Sequence, residues 1–568
     1  MTLVAHLVKS STMEKNKIGK FQTLLVYLLC LLIFLIIILE TILGMLPPTA
    51  RDVLIHHLAI PKLWLTNGGF YEVKWADFSY YPMNVDLLYL IPLYFNQDFI
   101  ANFIHLGFGI GTGWLIYCYL KNNVNRLAGI LGVFVFLSTP IVVRMSTVAY
   151  VDLGLTFFTT AATLAIIRWR NESYENSRWL IISAVAMGLA LGTKYNALIA
   201  WLFLSFSVVY LYSRDTGRQW PAIRCGAIFF LVSLLVFSPW LIKNSILTGN
   251  PLYPLFKGFF PASMSGVAND AGARSMVSGD AYMGLFQMRE ILYGENFWET
   301  LLTPLRFFFQ GQDYSDRYFD GVLNPMLIIL VPFAFMNKFL RDQKLFFVLF
   351  AVFFILAAFF LDQLRIRYIL PAIPILTLLT VMGIMNLFAW AARQKGLFSY
   401  LGLSALFLLL LILGGRNIVY LHKYFQSLEP VKYVLKQETR DAYLQRHIRS
   451  YTAMRYINEH TPENSRIRLL FLAGRGYYLD RIYEDDATYG MDIMRGLAAS
   501  AGDKDTFHKY LESLKCTHLL IREDLSVQFL RDNYPPETIT RLFQHLGRGT
   551  ELIHRSNGYG VYRIIPSG

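Results

Sequence analysis

Residues 21–46 read FQTLLVYLLCLLIFLIIILETILGML. Roughly 20 apolar residues carry a helix across the hydrocarbon core of a bilayer, and a signal-peptide core spans only roughly 7 to 15 and ends at a small-residue cleavage site that is lacking here. The stretch is therefore read as a retained first membrane helix. Further apolar runs follow near 99–120, 127–143, 148–167, 179–193, 195–212, 225–242, 321–337, 345–361, 368–391 and 400–415. They predict a polytopic α-helical membrane protein of about eleven spans. Composition agrees, because 55% hydrophobic and only 16% charged residues over 568 positions exceed what one soluble core would bury.

Basic residues in short loops set the expected orientation, since they resist translocation. Lys9, Lys15, Lys17 and Lys20 precede the first span; Lys121, Arg126, Arg168, Arg170, Arg178, Arg214, Arg218, Arg224, Lys338, Arg341, Lys344, Arg393 and Lys395 fall in alternate loops. That side is expected to be cytoplasmic, which with an odd number of spans puts the C-terminal region outside. The net charge of +13 partly reflects this asymmetry, so no nucleic-acid partner is expected. Cys30, Cys118 and Cys225 lie in or beside apolar runs and leave Cys516 alone beyond them, which assembles neither a disulfide framework nor a thiolate metal site.

The division follows: residues 1–415 form a transmembrane domain with long external loops at 47–98 and 246–320, and 416–568 form a soluble extracytoplasmic domain. The first loop is rich in aromatics and suits a structure lying at the membrane surface. The second contains a Gly-, Ser- and Asp-containing stretch at 267–280 that is expected to be mobile, as a lid would be. Beyond 415, the runs IRLLFLAG (467–474), THLLIRED (517–524) and GVYRII (560–565) read as strands and 453–460 and 506–514 as helices, which makes a small α/β domain.

Several polar residues stand out in this solvent. Asp52 follows the first span, within a turn of His56 and His57 if 51–59 is helical. It is either a helix-capping or interfacial carboxylate or a group facing an external site. Asp152 begins an apolar run, with Arg144 as its expected partner; ionisable groups in such places face a cavity or a partner. Lys194 with Tyr195, and Arg365 with Arg367, sit on the external side against the charge rule. Each alone is consistent with snorkelling, but together they suit an anionic lipid headgroup, Arg as a forked donor and Lys as a point charge.

The order of these features resembles the GT-C superfamily of polyprenyl-phosphate-sugar-dependent glycosyltransferases, and is similar to the protein mannosyltransferases and the lipid A aminoarabinose transferase. The residues that carry the resemblance are Asp52, His57, Pro61 and Lys62, then SYYPMNVDLLYL (79–90), AYVDLGLTFF (149–158), GTKYNALIAW (192–201), SPWLIKN (238–244), GNPLYP (249–254) and RIRYILPAIPIL (365–376). The resemblance implies a sugar moved from a polyprenyl phosphate to an extracytoplasmic glycan, lipid or protein, with inversion, at a bacterial inner membrane. It places Asp52 as catalytic base with Asp152 ordering the cavity, and Lys194, Tyr195, Arg365, Arg367 and Tyr368 on the donor. His57, Lys62, Tyr81, Asp86, Asn250 and Tyr253 would position the acceptor or the loops. A phosphate leaving group makes a general acid unnecessary.

One departure weakens any transfer of substrate. Those enzymes commonly carry an Asp-Glu pair in the first external loop, whereas Asp52 lies between Arg51 and Val53, with Asp86 the next well-placed acid. The acidic metal motif of the oligosaccharyltransferase branch is not seen, and adjacent His56 and His57 make a poor chelating pair, so no metal or other cofactor is expected. The rival readings are a transporter or flippase of a lipid-linked sugar, an enzyme of the O-antigen ligase or polymerase type, and a non-catalytic scaffold.

Overall fold

A computed structural model describes residues 2–256, 259–260, 284–360, 364–486 and 488–566, with side chains from residue 22 onward. The opening stretch lies in one long helix, Thr2–Gly44, whose segment Gln22–Gly44 is strongly apolar and mostly turned outward. Among the described residues six more helices are long and apolar enough to cross a membrane: Ile100–Asn123, Ala197–Thr216, Gln219–Thr248, Arg341–Phe359, Ile366–Arg393 and Leu397–Leu428. The pair Arg126–Leu137 and Pro140–Ser146, bent by 70°, makes an eighth span if counted as one.

The expected count of eleven is therefore not reached by length and composition. The other three runs are helical but short or polar: Asp152–Asn171, Ser177–Leu191, and Met326–Ile329 continued as a 3-10 turn over Val331–Met336. Asp152–Asn171 shows why. It packs between Ile100–Asn123 and Ser177–Leu191, is largely buried, and can carry Thr156, Thr160 and Thr163 because each hydroxyl donates to the carbonyl four residues back. Close approach of Ser177–Leu191 to Gln219–Thr248 depends on Gly188, where a Cβ would sit 2.6 Å from the Ser233 carbonyl oxygen.

Two groups of charged residues lie at different ends of the bundle. At one end Arg170 and Arg214 both bond Asp215 and Asp342, joining three of the basic loops. At the other end lie Asp52, Asp86, Asp152, Lys194 and Arg367, together with the C-terminal domain.

The loop at 47–98 is ordered as a π-helical turn (Val53–His57), a helix (Ala59–Thr66), a 3-10 turn (Asp77–Tyr80) and a second helix (Asn84–Tyr94). Phe70, Tyr94 and Phe95 project outward from it. In the loop at 246–320 the helices Leu285–Tyr293 and Phe297–Leu301 are formed; the expected lid at 267–280 lies outside the described residues.

Residue 415, drawn as a boundary, falls inside the helix Leu397–Leu428, which extends past the apolar run. The C-terminal domain holds a five-stranded sheet: β1 (Arg466–Leu470), β2 (Ile482–Glu484), β3 (His518–Arg522), β4 (Thr550–Ser556) and β5 (Tyr559–Ile564), in the order β2-β1-β3-β5-β4. β1 runs parallel to β2 and β3, and β5 is antiparallel to β3 and β4. Helices Met491–Ser500, Lys504–Ser513, Glu523–Asn533 and Pro536–Gly549 cover it through Leu470, Leu497, Phe507, Leu511, Leu519, Leu530 and Leu542. The expected strands become β1, β3 and β5, and the expected helices become Tyr451–His460 and Lys504–Ser513. β2 and β4 were not foreseen.

Candidate functional site

Asp52 stands at the edge of the π-helical turn, which closes with the Leu58 N–H on the Val53 carbonyl at 3.1 Å. Its carboxylate makes no capping hydrogen bond; it accepts from the Arg367 guanidinium at 2.6 Å. Asp52 is thus not a helix cap. Arg367 comes from the 3-10 turn Ile366–Ala372, is almost fully buried, and lies over the rings of Tyr150 (5.0 Å) and Tyr368 (5.3 Å). Burial alone would raise the pKa of Asp52, but Arg367 outweighs it and holds the carboxyl well below the usual range. His56 and His57 are kept neutral by burial, so at neutral pH the opposing charge is that of Arg367.

A second pair lies behind the first. Lys194 Nζ donates to Asp152 Oδ1 at 2.7 Å and sits 5.1 Å from the Tyr368 ring, so one tyrosine serves both cations. Asp152 begins its helix, where a carboxylate favourably meets the N-terminal dipole. His105 fixes that helix end: its Nδ1–H donates to the Met145 and Val148 carbonyls, and its Nε2 accepts from the Leu153 N–H, each at 2.8 Å. Arg144 is not the partner of Asp152. It bonds Asp313 at 3.0 Å and Asp320 at 2.8 Å, because its helix turns away after the bend at residues 138–139.

The third pair is His57 with Asp86, Nδ1 to Oδ1 at 2.7 Å, both buried. Burial pushes Asp86 up to about 7 and His57 down to about 3, so the contact is a hydrogen bond in which both groups resist charge. His56 points elsewhere and stacks on Phe78 at 4.3 Å.

The remaining expected site residues divide between scaffold and site. Tyr195 donates to the Tyr253 carbonyl at 2.9 Å and meets the Tyr81 ring edge-on at 5.4 Å, so these three form one aromatic wall. Asn250 bonds inside its own turn, donating to the Leu255 carbonyl and accepting from the Leu252 N–H. Arg365 reaches Asp316 at 3.4 Å. Lys62 is turned to the C-terminal domain, donating to the Tyr477 and Leu479 carbonyls and to Asp480 at 2.9, 3.1 and 2.9 Å. Among the described residues no group of three or more His, Cys, Asp or Glu is placed to hold a metal ion.

A cavity of about 480 Å³ opens between the bundle and the C-terminal domain. Asp52, Tyr150, Asp316 and Arg365 line it, whereas Asp152, Lys194, His57 and Asp86 do not. Tyr150, which joins the cavity to Arg367 and to the His57 ring at 5.2 Å, was not singled out in the sequence, although it stands two residues before Asp152. Arg449, Arg475 and Arg522 of the C-terminal domain also line the cavity. Nothing local in their sequence marks them.

A family model described as dolichyl-phosphate-mannose-protein mannosyltransferase matches residues 92–242, which hold Asp152, Lys194 and Tyr195 but not Asp52. ArnT from Cupriavidus metallidurans, solved bound to undecaprenyl phosphate, is 13% identical with a TM-score of 0.54, over 95% of this chain and 98% of that one. The archaeal oligosaccharyltransferase AglB from Archaeoglobus fulgidus, in complex with an inhibitory peptide and a dolichol-phosphate, is 10% identical with a TM-score of 0.50, over 88% of this chain and 70% of that one. No curated protein matches in sequence. At such identities the likeness is one of fold: the chain has the GT-C architecture that its motifs resemble.

Proposed function

We propose that this GT-C-fold chain transfers a sugar, a hexose or a pentose, from a polyprenyl-phosphate donor to an acceptor hydroxyl on a glycan, lipid or protein, with inversion. The observation that carries the reading is Asp52, a carboxylate lining the cavity and held at 2.6 Å by a buried arginine. Both structural neighbours hold a polyprenyl-type phosphate, undecaprenyl phosphate in one and dolichol-phosphate in the other, which supports a donor of that class.

The chemistry follows from what the donor lacks and what it brings. Its phosphate is already a good leaving group, so the protein must align the acceptor, take its proton and neutralise the departing charge. The acceptor oxygen bonds to the anomeric carbon as the bond from that carbon to the phosphate oxygen breaks, and attack from the opposite face inverts the centre. The hydroxyl proton passes to Asp52, or Asp52 orients the hydroxyl. The leaving phosphate takes its compensation from Arg367, Arg365 and Lys194.

Arg367 links these roles. While it holds Asp52, the carboxylate is a weak base; a donor phosphate that draws the guanidinium away restores its basicity. Asp152 holds Lys194 ready for the same phosphate. We place the cavity on the extracytoplasmic side of a bacterial inner membrane, with the N-terminus in the cytoplasm, from the basic loops gathered at the opposite end.

The test is purified chain in liposomes with a polyprenyl-phosphate sugar and a cell-envelope fraction as acceptor. Consumption of the lipid-linked sugar with attachment to the acceptor is expected, falling on the order of 10²- to 10⁴-fold in Asp52→Asn. Unchanged turnover in that variant removes Asp52 from the chemistry, and movement of the lipid across the bilayer without transfer makes the chain a flippase.

A further inference from the structure

The cavity beside Asp52 has an excess of positive charge that the bundle does not balance. Its ionisable lining includes Arg51, Arg144, Arg365, Arg449, Arg475 and Arg522 against Asp52, Asp316 and Asp320. Most of these are internally matched: Arg144 with Asp313 and Asp320, Arg365 with Asp316, Arg522 with Asp524, and Asp52 with Arg367. Arg51, Arg449 and Arg475 are left with no carboxylate partner among the described residues.

Arg475 is the most telling of the three. It is half-buried, and its Nε has no hydrogen-bond partner. Burial and the neighbouring charges of Arg51 and Arg522 work against its ionisation, yet an arginine does not shed its proton in a protein.

Its position is built rather than incidental. The Gly474 N–H donates to Asp485 Oδ2 at 2.7 Å, and Gly474, at φ +73°, packs against Ile55 in the π-helical turn beside Asp52. Lys62 fixes the same loop from below, and the Tyr478 hydroxyl donates to the Pro48 carbonyl at 2.7 Å. The loop thus presents a cation to the cavity while docked on the segment that carries the candidate base.

We propose that Arg51, Arg449 and Arg475 form an anion site in the roof of this cavity, and that it holds a phosphate or carboxylate group of the acceptor. The inference rests on the transferase reading above and names the acceptor class that reading leaves open. The acceptor enters between the C-terminal domain and the bundle, its anionic group on the arginines and its hydroxyl toward Asp52. Guanidinium groups suit phosphate and carboxylate through paired N–H donors, and these three line one cavity. A role for the C-terminal domain follows: it supplies two of the three cations and so selects what reaches the base.

The same chemistry would also suit a second phosphate of the donor, so the test separates the two sources. Binding of inorganic pyrophosphate and of undecaprenyl phosphate is measured separately on the purified full chain, on Arg449→Gln/Arg475→Gln and on Arg367→Gln. The double variant is expected to lose pyrophosphate affinity by about tenfold or more and to keep its undecaprenyl phosphate affinity, with Arg367→Gln doing the reverse. Arg449→Gln alone, at an exposed position, gives a partial loss without a folding penalty. Failure of the wild-type chain to bind pyrophosphate overturns the proposal and leaves the transferase reading standing. Equal loss of undecaprenyl phosphate in the double variant assigns the arginines to the donor and also overturns it. Wild-type chain that does not bind undecaprenyl phosphate overturns the transferase reading, and the acceptor role with it.

Discussion

The carboxylate of Asp52 and the guanidinium of Arg367 meet at 2.6 Å although 315 positions separate them in the chain. Each is largely buried, so each depends on the other for charge compensation. Arg367→Met leaves a buried carboxylate unpaired and is expected to cost about 3–5 kcal/mol, whereas Asp52→Asn/Arg367→Met regains much of that loss. Thermal unfolding of the three proteins in one detergent measures it, and a double variant no more stable than Arg367→Met shows that the two groups are not coupled.

Lys194 is held by Asp152 at 2.7 Å with Tyr368 beneath it. On the proposed reading, Lys194→Gln and Arg365→Glu are each expected to weaken undecaprenyl phosphate binding by about tenfold, since each removes a cation proposed for the leaving phosphate. Titration with the lipid phosphate is the measurement, and unchanged affinity in both takes these cations away from the donor.

His57 and Asp86 give opposite pH dependences. Asp86, raised to about 7, keeps a proton in the folded state that the unfolded chain releases near its ordinary value of 3.8, so its contribution is full below that value and lost as pH rises to 7. His57, lowered to about 3 from 6.5, makes folding more favourable as pH rises across that window. The two offset each other in the wild type between about pH 4 and 6.5. Asp86→Asn is expected to show stability rising with pH there and His57→Gln stability falling. Melting temperatures at successive pH values check both signs.

Lys62 ties the C-terminal domain to the loop at 47–98 through three hydrogen bonds. Lys62→Ala is expected to cost about 1–3 kcal/mol and to expose the chain around 471–480 to protease, with helices of the bundle still protected. Limited proteolysis followed by mass mapping reads this, and an unchanged cleavage pattern means that the docking rests on other contacts.

Much of the fold was legible because its signals are local. Apolar runs of membrane length mark helices whatever they pack against, and the runs at 467–474, 517–524 and 560–565 mark β1, β3 and β5. β2 is only three residues long and carries no pattern. β4 is marked only by its turn: Asn557 and Gly558, both at positive φ, form the two-residue connection into β5. Asp152–Asn171, with its buried threonines, and the 15-residue Ser177–Leu191 fall below the composition or length that marks a lipid-facing span, because a helix packed in protein tolerates polar side chains.

For the site, the sequence by itself determined which ionisable groups are out of place in a membrane: Asp52, Asp152, Lys194, Arg365 and Arg367 are anomalous wherever they end up, because charge near hydrocarbon is costly. Their pairing was decided only by the tertiary structure. Arg144 lies eight positions before Asp152 yet bonds Asp313 and Asp320, while Lys194 and Arg367 reach across the bundle to Asp152 and Asp52. The same holds for Arg475, an unremarkable surface-type residue in the sequence that becomes a cavity cation once its loop docks at Ile55. The physical reason is that desolvation cost attaches to a residue and its immediate neighbours, whereas charge compensation acts over a few ångströms between helices whose packing fixes which groups can meet.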